Sequence, residues 1–393
     1  MKPAWPAAII GAALTASAMF TTAGSAQAAP VVGNKPSYGP DVSSTGRYIV
    51  FASDATNLVA GDVNGKRDIF IRDTQAGTTR LVSRGLNGRP SNGASTSPTV
   101  SDDGRYVAFA SSASNLVVGD TNTKADAFRA DLVTGRIIRV SVSSGGAQAN
   151  GVSATPKISG NGASIAFVAA ASNLVARDTN GVQDVFLRDI AAGTTKRVSL
   201  APTGDQLMQR GAGDVTISNN GSIVGFSGPS GSADAIYRWN RSTGKTQFVS
   251  EDYGDDDVYR PVASNGGVSY LLEHYRDVAG GYSVYRLVAN ASPASESFVV
   301  YLDDADSYIN GYDVSRWGAM AVADVDLESD GQRELVLFDD YWPDHGPLAS
   351  LPVSANALSM SADGSTIAYA DSATGQIMTW KWASATVVPV SVG

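Results

Sequence analysis

The chain has 393 residues, no cysteine and a formal net charge of −9. The missing cysteine excludes disulfides and thiolate metal sites. The negative balance argues against a nucleic-acid backbone or an anionic membrane as partner. With 43% hydrophobic and 8% aromatic residues, the composition is that of a folded globular chain rather than a disordered one.

The first thirty residues read as an export signal. Lys2 supplies a positive start, Ala7 to Phe20 is an uncharged apolar run, and Ala26-Gln27-Ala28 offers small residues for cleavage. A signal peptide over residues 1–28 is expected, cleaved after Ala28, with a single mature domain over 29–393. The apolar run is short for a membrane span, and no later segment is long enough. The expected localisation is secreted, without membrane insertion.

The mature part is dominated by a repeat. Gly46, Gly104 and Gly162 stand at matching positions 58 residues apart. A regular period of this kind signals a repeat architecture. In the second copy, Ser97 to Ser101 reads as a strand and Asp102-Asp103-Gly104 as a tight hairpin. Tyr106 to Ala110 is a second strand, and a long polar loop, Ser111 to Lys124, follows. Asp126 to Asp131 is a third strand, Thr134-Gly135 a turn, and Arg136 to Val142 a fourth. Four hairpin-linked antiparallel strands make one propeller blade.

The pattern continues with drift. A fourth unit spans Asp214 to Ser250. A fifth uses Tyr259 to Ser264, Gly267 to Leu272, Tyr282 to Val288 and Ser297 to Tyr301. A sixth uses Tyr312 to Ser315, Ala319 to Ala323, Glu334 to Phe338 and Leu348 to Val353. A seventh runs from Ala357 to Val392. No segment after Ala29 carries helical periodicity with caps. The expected fold is all-β: a β-propeller of seven four-stranded blades.

Ser101-Asp102-Asp103-Gly104-Arg105-Tyr106-Val107-Ala108-Phe109 resembles the S-P-D-G-x-x-I-A-F core of the WD40-like, TolB-type propeller repeat, with the proline replaced. Ser361 to Tyr369 is similar. Asp68 to Asp73, Asp126 to Asp131 and Asp184 to Asp189 resemble that repeat's third strand. The resemblance implies a propeller. It implies no single activity, because such propellers serve as scaffolds, sugar-acid lyases and peptidase caps.

Alternating strand direction sorts the loops by face. The first-to-second and third-to-fourth hairpins share one face and are short. The second-to-third loops and the blade-to-blade links share the other and are long, as in Ser53 to Arg67, Ser111 to Lys124 and Ala170 to Gln183. Long loops on a rigid scaffold are where binding concentrates. Glu251 to Asp344 holds 20 acidic and 5 basic residues, a net of −15, which leaves +6 for the rest of the chain. Asp255, Asp257, Tyr259, Asp303, Asp306 and Tyr308 are therefore expected to line an acidic, tyrosine-rich ligand face suited to cations, sugars or a basic peptide.

One local pattern points to a metal. Asp326, Glu328, Asp330 and Glu334 fall at relative positions 1, 3, 5 and 9 around Gly331, a spacing that can wrap hard oxygens around calcium. The acids of Asp62-Val63-Asn64, Asp120-Thr121-Asn122 and Asp178-Thr179-Asn180, each followed by Asp68, Asp126 or Asp184, recur identically and read as structural turn formers rather than ligands. His274 and His345 fall on opposite faces and form no shared site. No G-x-S-x-G elbow is present.

The expected function is that of a secreted, non-catalytic propeller binding a protein or carbohydrate ligand through its acidic loop face, with calcium as a possible stabiliser and no catalytic residue assigned. The alternatives are an extracellular carbohydrate-active enzyme, glycosidase or lyase, using loop carboxylates, and a calcium-stabilised envelope scaffold.

Overall fold

The structure is a computed structural model. It describes residues 31–208, 211–230, 233–249, 256–263, 268–276, 282–291, 298–302, 308–315, 320–326, 333–339 and 348–393. The expected signal segment, 1–28, lies outside the described residues. Among the described residues no helix is long and apolar enough to cross a membrane.

Every sheet is built from four consecutive antiparallel strands. The first holds β1 (Ser37–Val42), β2 (Tyr48–Ser53), β3 (Asp68–Asp73) and β4 (Thr78–Leu81). The second holds β5 (Ser95–Val100), β6 (Tyr106–Ser111), β7 (Asp126–Asp131) and β8 (Arg136–Arg139). The third holds β9 (Ser153–Ile158), β10 (Ser164–Ala169), β11 (Asp184–Asp189) and β12 (Thr194–Arg197). The fourth holds β13 (Val215–Ile217), β14 (Ile223–Ser230), β15 (Ala233–Asn240) and β16 (Lys245–Phe248). The fifth holds β17 (Asp256–Ala263), β18 (Val268–Arg276), β19 (Tyr282–Ala291) and β20 (Phe298–Leu302). The sixth holds β21 (Tyr308–Val314), β22 (Met320–Asp326), β23 (Arg333–Asp339) and β24 (Ala349–Leu351). The last holds β25 (Ala355–Met360), β26 (Ile367–Asp371), β27 (Ile377–Lys381) and β28 (Thr386–Pro389).

The expectation of seven four-stranded blades requires correction: of the four-stranded sheets, six follow the blade pattern, and the sheet β17–β20 departs from it. The physical reason lies in its sequence. It lacks the glycine-turned repeat, and its first three strands have 8 to 10 residues where the strands of the first three blades have 4 to 6. The strand bounds move as well. Asp257 and Tyr259 fall inside β17, Tyr308 begins β21, Asp326 ends β22 and Glu334 lies in β23. Tyr259 and Glu334 keep their expected strand positions, while Asp257, Tyr308 and Asp326 are strand residues rather than loop residues.

The blades form where the repeat dictates. Each of the first four pairs an aromatic on its second strand with one on its third: Phe51–Phe70, Phe109–Phe128, Phe167–Phe186 and Phe226–Tyr237, with ring centroids 5.3 to 5.9 Å apart. These are direct cross-strand partners, the arrangement in which stacked rings add most to a sheet. The turn glycines do two jobs. Gly104 takes φ +72°, and its missing Cβ leaves room for Tyr48 of the preceding blade, whose ring would lie 2.0 Å away. Gly162 does the same for Tyr106.

The ring closes without exchanging a strand. Val32 bridges Val392, the Gly33 amide donates to Ser391 O at 3.0 Å, and the Gly393 amide donates to Val31 O at 2.9 Å.

Candidate functional site

The two faces differ as the loop lengths require. On the short-hairpin face, successive turns are knitted by main-chain bonds. Ser44 N donates to Asp102 O, Asp102 N to Gly160 O, and Gly160 N to Asn219 O. That face is committed to holding blades together.

On the long-loop face, buried polar groups pin each loop to the link beside it. Asn57, Asn115 and Asn173 accept the amides of Asn34, Asn92 and Asn150 at 2.9 to 3.0 Å. Their own side-chain amides donate to Val32 O, Pro90 O and Gln148 O. The leucines that follow, Leu58, Leu116 and Leu174, are buried in the blade cores. Asp68, Asp126 and Asp184 are buried at the start of each third strand and accept the hydroxyls of Ser83, Ser141 and Ser199 at 2.5 to 2.6 Å. These asparagines and aspartates, which would otherwise need water, are satisfied within the protein.

What these pinned loops present outward is apolar and basic. Val63 and Val118 at loop tips are 83% and 85% exposed. Val31, Val32, Leu86, Val152 and Met208 on the links are exposed too. Between them stand the exposed cations Lys35, Lys66, Arg84, Arg89, Lys124 and Arg177. A shallow groove of about 590 Å³ lies beside Leu86 and Val118, floored by Ile137 and Ile138 of β8. Gathered apolar side chains on one face mark an interaction surface more readily than the same residues scattered singly.

A second cluster lines the central channel. Asp41 of β1, Thr99 of β5, Lys157 of β9, Asp313 of β21 and Ser359 of β25 occupy one level of the innermost strands. They staple blade to blade. Asp41 accepts the Val100 amide at 2.7 Å, Thr99 Oγ1 accepts the Ile158 amide at 3.2 Å, and Asp313 accepts the Met360 amide at 2.7 Å. Ser359 Oγ donates to Asp41 at 3.1 Å, which links the last blade to the first. Burial pushes the Asp313 carboxyl up to about 6, with Asp41 adding to the rise while the Met360 and Val314 amides and Lys157 oppose it. Asp41 is raised by burial as well, against Lys157 and its hydrogen bonds. Sequence reading missed this belt because positions 41, 99 and 157 hold three chemically different residues.

The sequence-derived site residues fall mostly elsewhere. Asp255, Asp303, Asp306, Glu328 and Asp330 lie outside the described residues. Asp257, Tyr259, Tyr308 and Asp326 are placed by backbone alone, with Asp257 opposite Glu273, Tyr259 opposite Leu271, Tyr308 opposite Asp326, and Asp326 also opposite Arg333. Glu334 is half-buried and pairs with Val325. Near that hairpin, Arg333 bonds the buried Asp324 and donates to Ala355 O at 2.9 Å. Among the described residues no group of three or more His, Asp or Glu side chains is placed to hold a metal.

The innermost-strand channel, the hairpin-linked blades and the two unequal faces define a β-propeller, and solved structures agree. No known family profile matches the chain, and no curated protein matches it. A structure from a comparison of two prolyl endopeptidases matches with a TM-score of 0.57 at 13% identity, covering 92% of this chain and 50% of that one. The β-propeller domain of the Trilobed protease from Pyrococcus furiosus, described as having an open velcro topology, matches with 0.57 at 12% identity, over 91% and 97%. An oligogalacturonate lyase in complex with manganese matches with 0.57 at 12% identity, over 89% of each chain. TolB from Acinetobacter baumannii is also among the similar structures, at 17% identity and a TM-score of 0.37, over 61% of this chain. The chain spans about half the length of that prolyl endopeptidase chain and of that TolB chain. At these identities the likeness is one of fold.

Proposed function

We propose that the chain is an exported, non-catalytic propeller that binds a partner protein through its long-loop face. The observation that carries this reading is the gathering of Val63, Leu86, Val118, Val152 and Met208 on loops and links that Asn57, Asn115 and Asn173 tie together. Exposed cations supply polar edges to this apolar patch. The acidic segment from Glu251 to Asp344 would give the same face a half of opposite sign, favouring a partner with complementary halves. A calcium ion held by Asp326, Glu328, Asp330 and Glu334 would tighten the sixth blade beside it.

Chemical cross-linking of the exported protein in its native setting tests the reading. Lys66 and Lys124 should cross-link to one discrete partner, and Leu86→Glu with Val118→Glu should abolish those links while leaving the melting temperature unchanged. Unaltered cross-links in that double variant would overturn it.

A second reading, an enzyme acting on carbohydrate, draws support from the channel carboxylates Asp41 and Asp313. The raised Asp313 carboxyl stands where proton transfer near neutrality is feasible. Turnover in an oligosaccharide screen that is lost in Asp313→Asn would favour this reading over the first.

A further inference from the structure

Blades two and three each bury a pair of aspartates where the long loop meets the third strand, and each pair closes on an arginine from the fourth strand. Arg139 reaches Asp120 at 3.4 Å and Asp126 at 3.3 Å. Arg197 reaches Asp178 at 3.1 Å and Asp184 at 3.3 Å. A glutamine from the following link completes each set. Gln148 donates to Asp120 and Asp126, both at 2.9 Å, and Gln206 accepts from Arg197 at 2.8 Å. In both blades, two buried negative charges meet one buried positive charge.

Blade one keeps the acids and loses the cation. Asp62 is 4% exposed and Asp68 is fully buried. One period of 58 residues before Arg139 stands Leu81, and one period before Gln148 stands Pro90. Neither side chain can donate a hydrogen bond. Asp68 is satisfied by Ser83, Ser91 and Asn64, at 2.5, 2.8 and 2.6 Å. Asp62 is not: no side chain donates to Oδ1 or Oδ2, and only the Asn64 main-chain amide approaches the carboxylate. A buried carboxylate without a side-chain donor is a costly arrangement that a protein retains only when something compensates it. Burial and the Asp68 charge push the Asp62 carboxyl up to about 6, with the nearby Asn64 main chain opposing them.

We propose that the Asp62–Asp68 pair of the first blade binds a hard divalent cation of the calcium class in the place that Arg139 and Arg197 fill in the next two blades. The donors fit that class. Asp62 offers two carboxylate oxygens to which no side chain donates, and Asp68 shares its charge from the adjacent strand. Calcium accepts such oxygens singly or in pairs and completes its shell with water. Water has a short path, because Gly61 and Val63 on either side of Asp62 are exposed. No thiolate or imidazole is at hand to favour a softer ion. The ion would fix the loop that carries Val63, as the guanidinium fixes the loop that carries Val118.

The test is thermal unfolding of the full chain at pH 7, first with chelator and then with calcium chloride. At a concentration one hundred times its dissociation constant, calcium should raise the melting temperature by about 4 °C. Asp62→Asn should lose that rise. Leu81→Arg combined with Pro90→Gln should also lose it, and should melt above the wild type in chelator, because it restores the set of the neighbouring blades. Glu334→Gln should retain the rise, which separates this site from any ion at the Asp326 hairpin. A wild type unmoved by calcium, with a proton as the only compensation for Asp62, overturns the proposal. So does an undiminished rise in Asp62→Asn.

Discussion

Replacing Asp313 by asparagine should flatten part of the pH dependence of stability. Asp313 sits in the channel belt, where burial lifts its carboxyl to about 6 from an ordinary value of 3.8. Between these values the native state holds a proton that the unfolded chain has released. Its contribution is therefore complete below pH 3.8 and is lost as pH rises through about 6. A rise of about two pH units corresponds to about 3 kcal/mol of stability lost across this window. Asp62, lifted to about 6 in the same direction, contributes a similar fall. Together with the raised Asp41, they predict that the calcium-free protein loses stability between pH 4 and pH 7. Asp313→Asn should remove its own share, about 3 kcal/mol, of that fall. The oxygen of asparagine can still accept one of the two amides, so the fold should persist. Urea midpoints read by tryptophan fluorescence at half-unit pH intervals, in chelator, measure the effect. Stability that is flat or rising over this range, or an Asp313→Asn variant with the wild-type slope, would refute the assignment.

Two further substitutions test the scaffold. Gly104→Ala forces a left-handed residue and drives its methyl into Tyr48, for a loss of about 2–4 kcal/mol. Gly135→Ala, at φ +71° with open space around it, should lose only about 1 kcal/mol, and equal losses in the two melting curves would dismiss the role of the ring contact. Arg139→Leu removes the cation from Asp120 and Asp126 and leaves them Gln148 and Ser141, at a cost of about 3 kcal/mol at pH 7 in chelator. That loss should shrink at lower pH, because burial already raises the Asp126 carboxyl and Arg139 is one of the groups that oppose the rise, and chemical unfolding at pH 7 and pH 4 checks it.

The first three blades and the last were legible because their glycines, aspartates and aromatics sit at a fixed spacing, and each does a geometric job no other residue type does as well. Gly104 must accept a positive φ, Phe109 must face Phe128, and Leu116 must anchor its loop. The channel belt was not legible, because its physics is carried by register rather than residue type. Asp41 and Thr99 both accept an amide from the next blade, and a carboxylate and a hydroxyl do so equally well. Strand β17 begins three residues before the expected start at Tyr259, and its first residues, Asp256 and Asp257, argue for a loop when read singly. Asp62 was grouped with Asp120 and Asp178 because the three loops match. The difference lies 19 residues further on, at Leu81 against Arg139 and Arg197.

The same loops explain why the long-loop face suits binding. Each divides its residues by burial. Asp62 points in while Val63 points out, and Leu116 points in while Val118 points out. Asn115 and Asn173 then tie the loop to its link through both ends of the amide. A loop held in this way has surrendered its conformational freedom on folding, so a partner that docks on Val118 need not supply that ordering again. An apolar side chain on a loose loop would lose part of its burial gain to immobilisation. On these blades the repeat itself has already met that cost, because the residues that pin the loops are the ones the period of 58 preserves. Binding specificity is then left to the positions the period does not preserve: Val63 against Thr121 and Thr179, Leu86 against Ser144 and Pro202, and Val118 against Ala176.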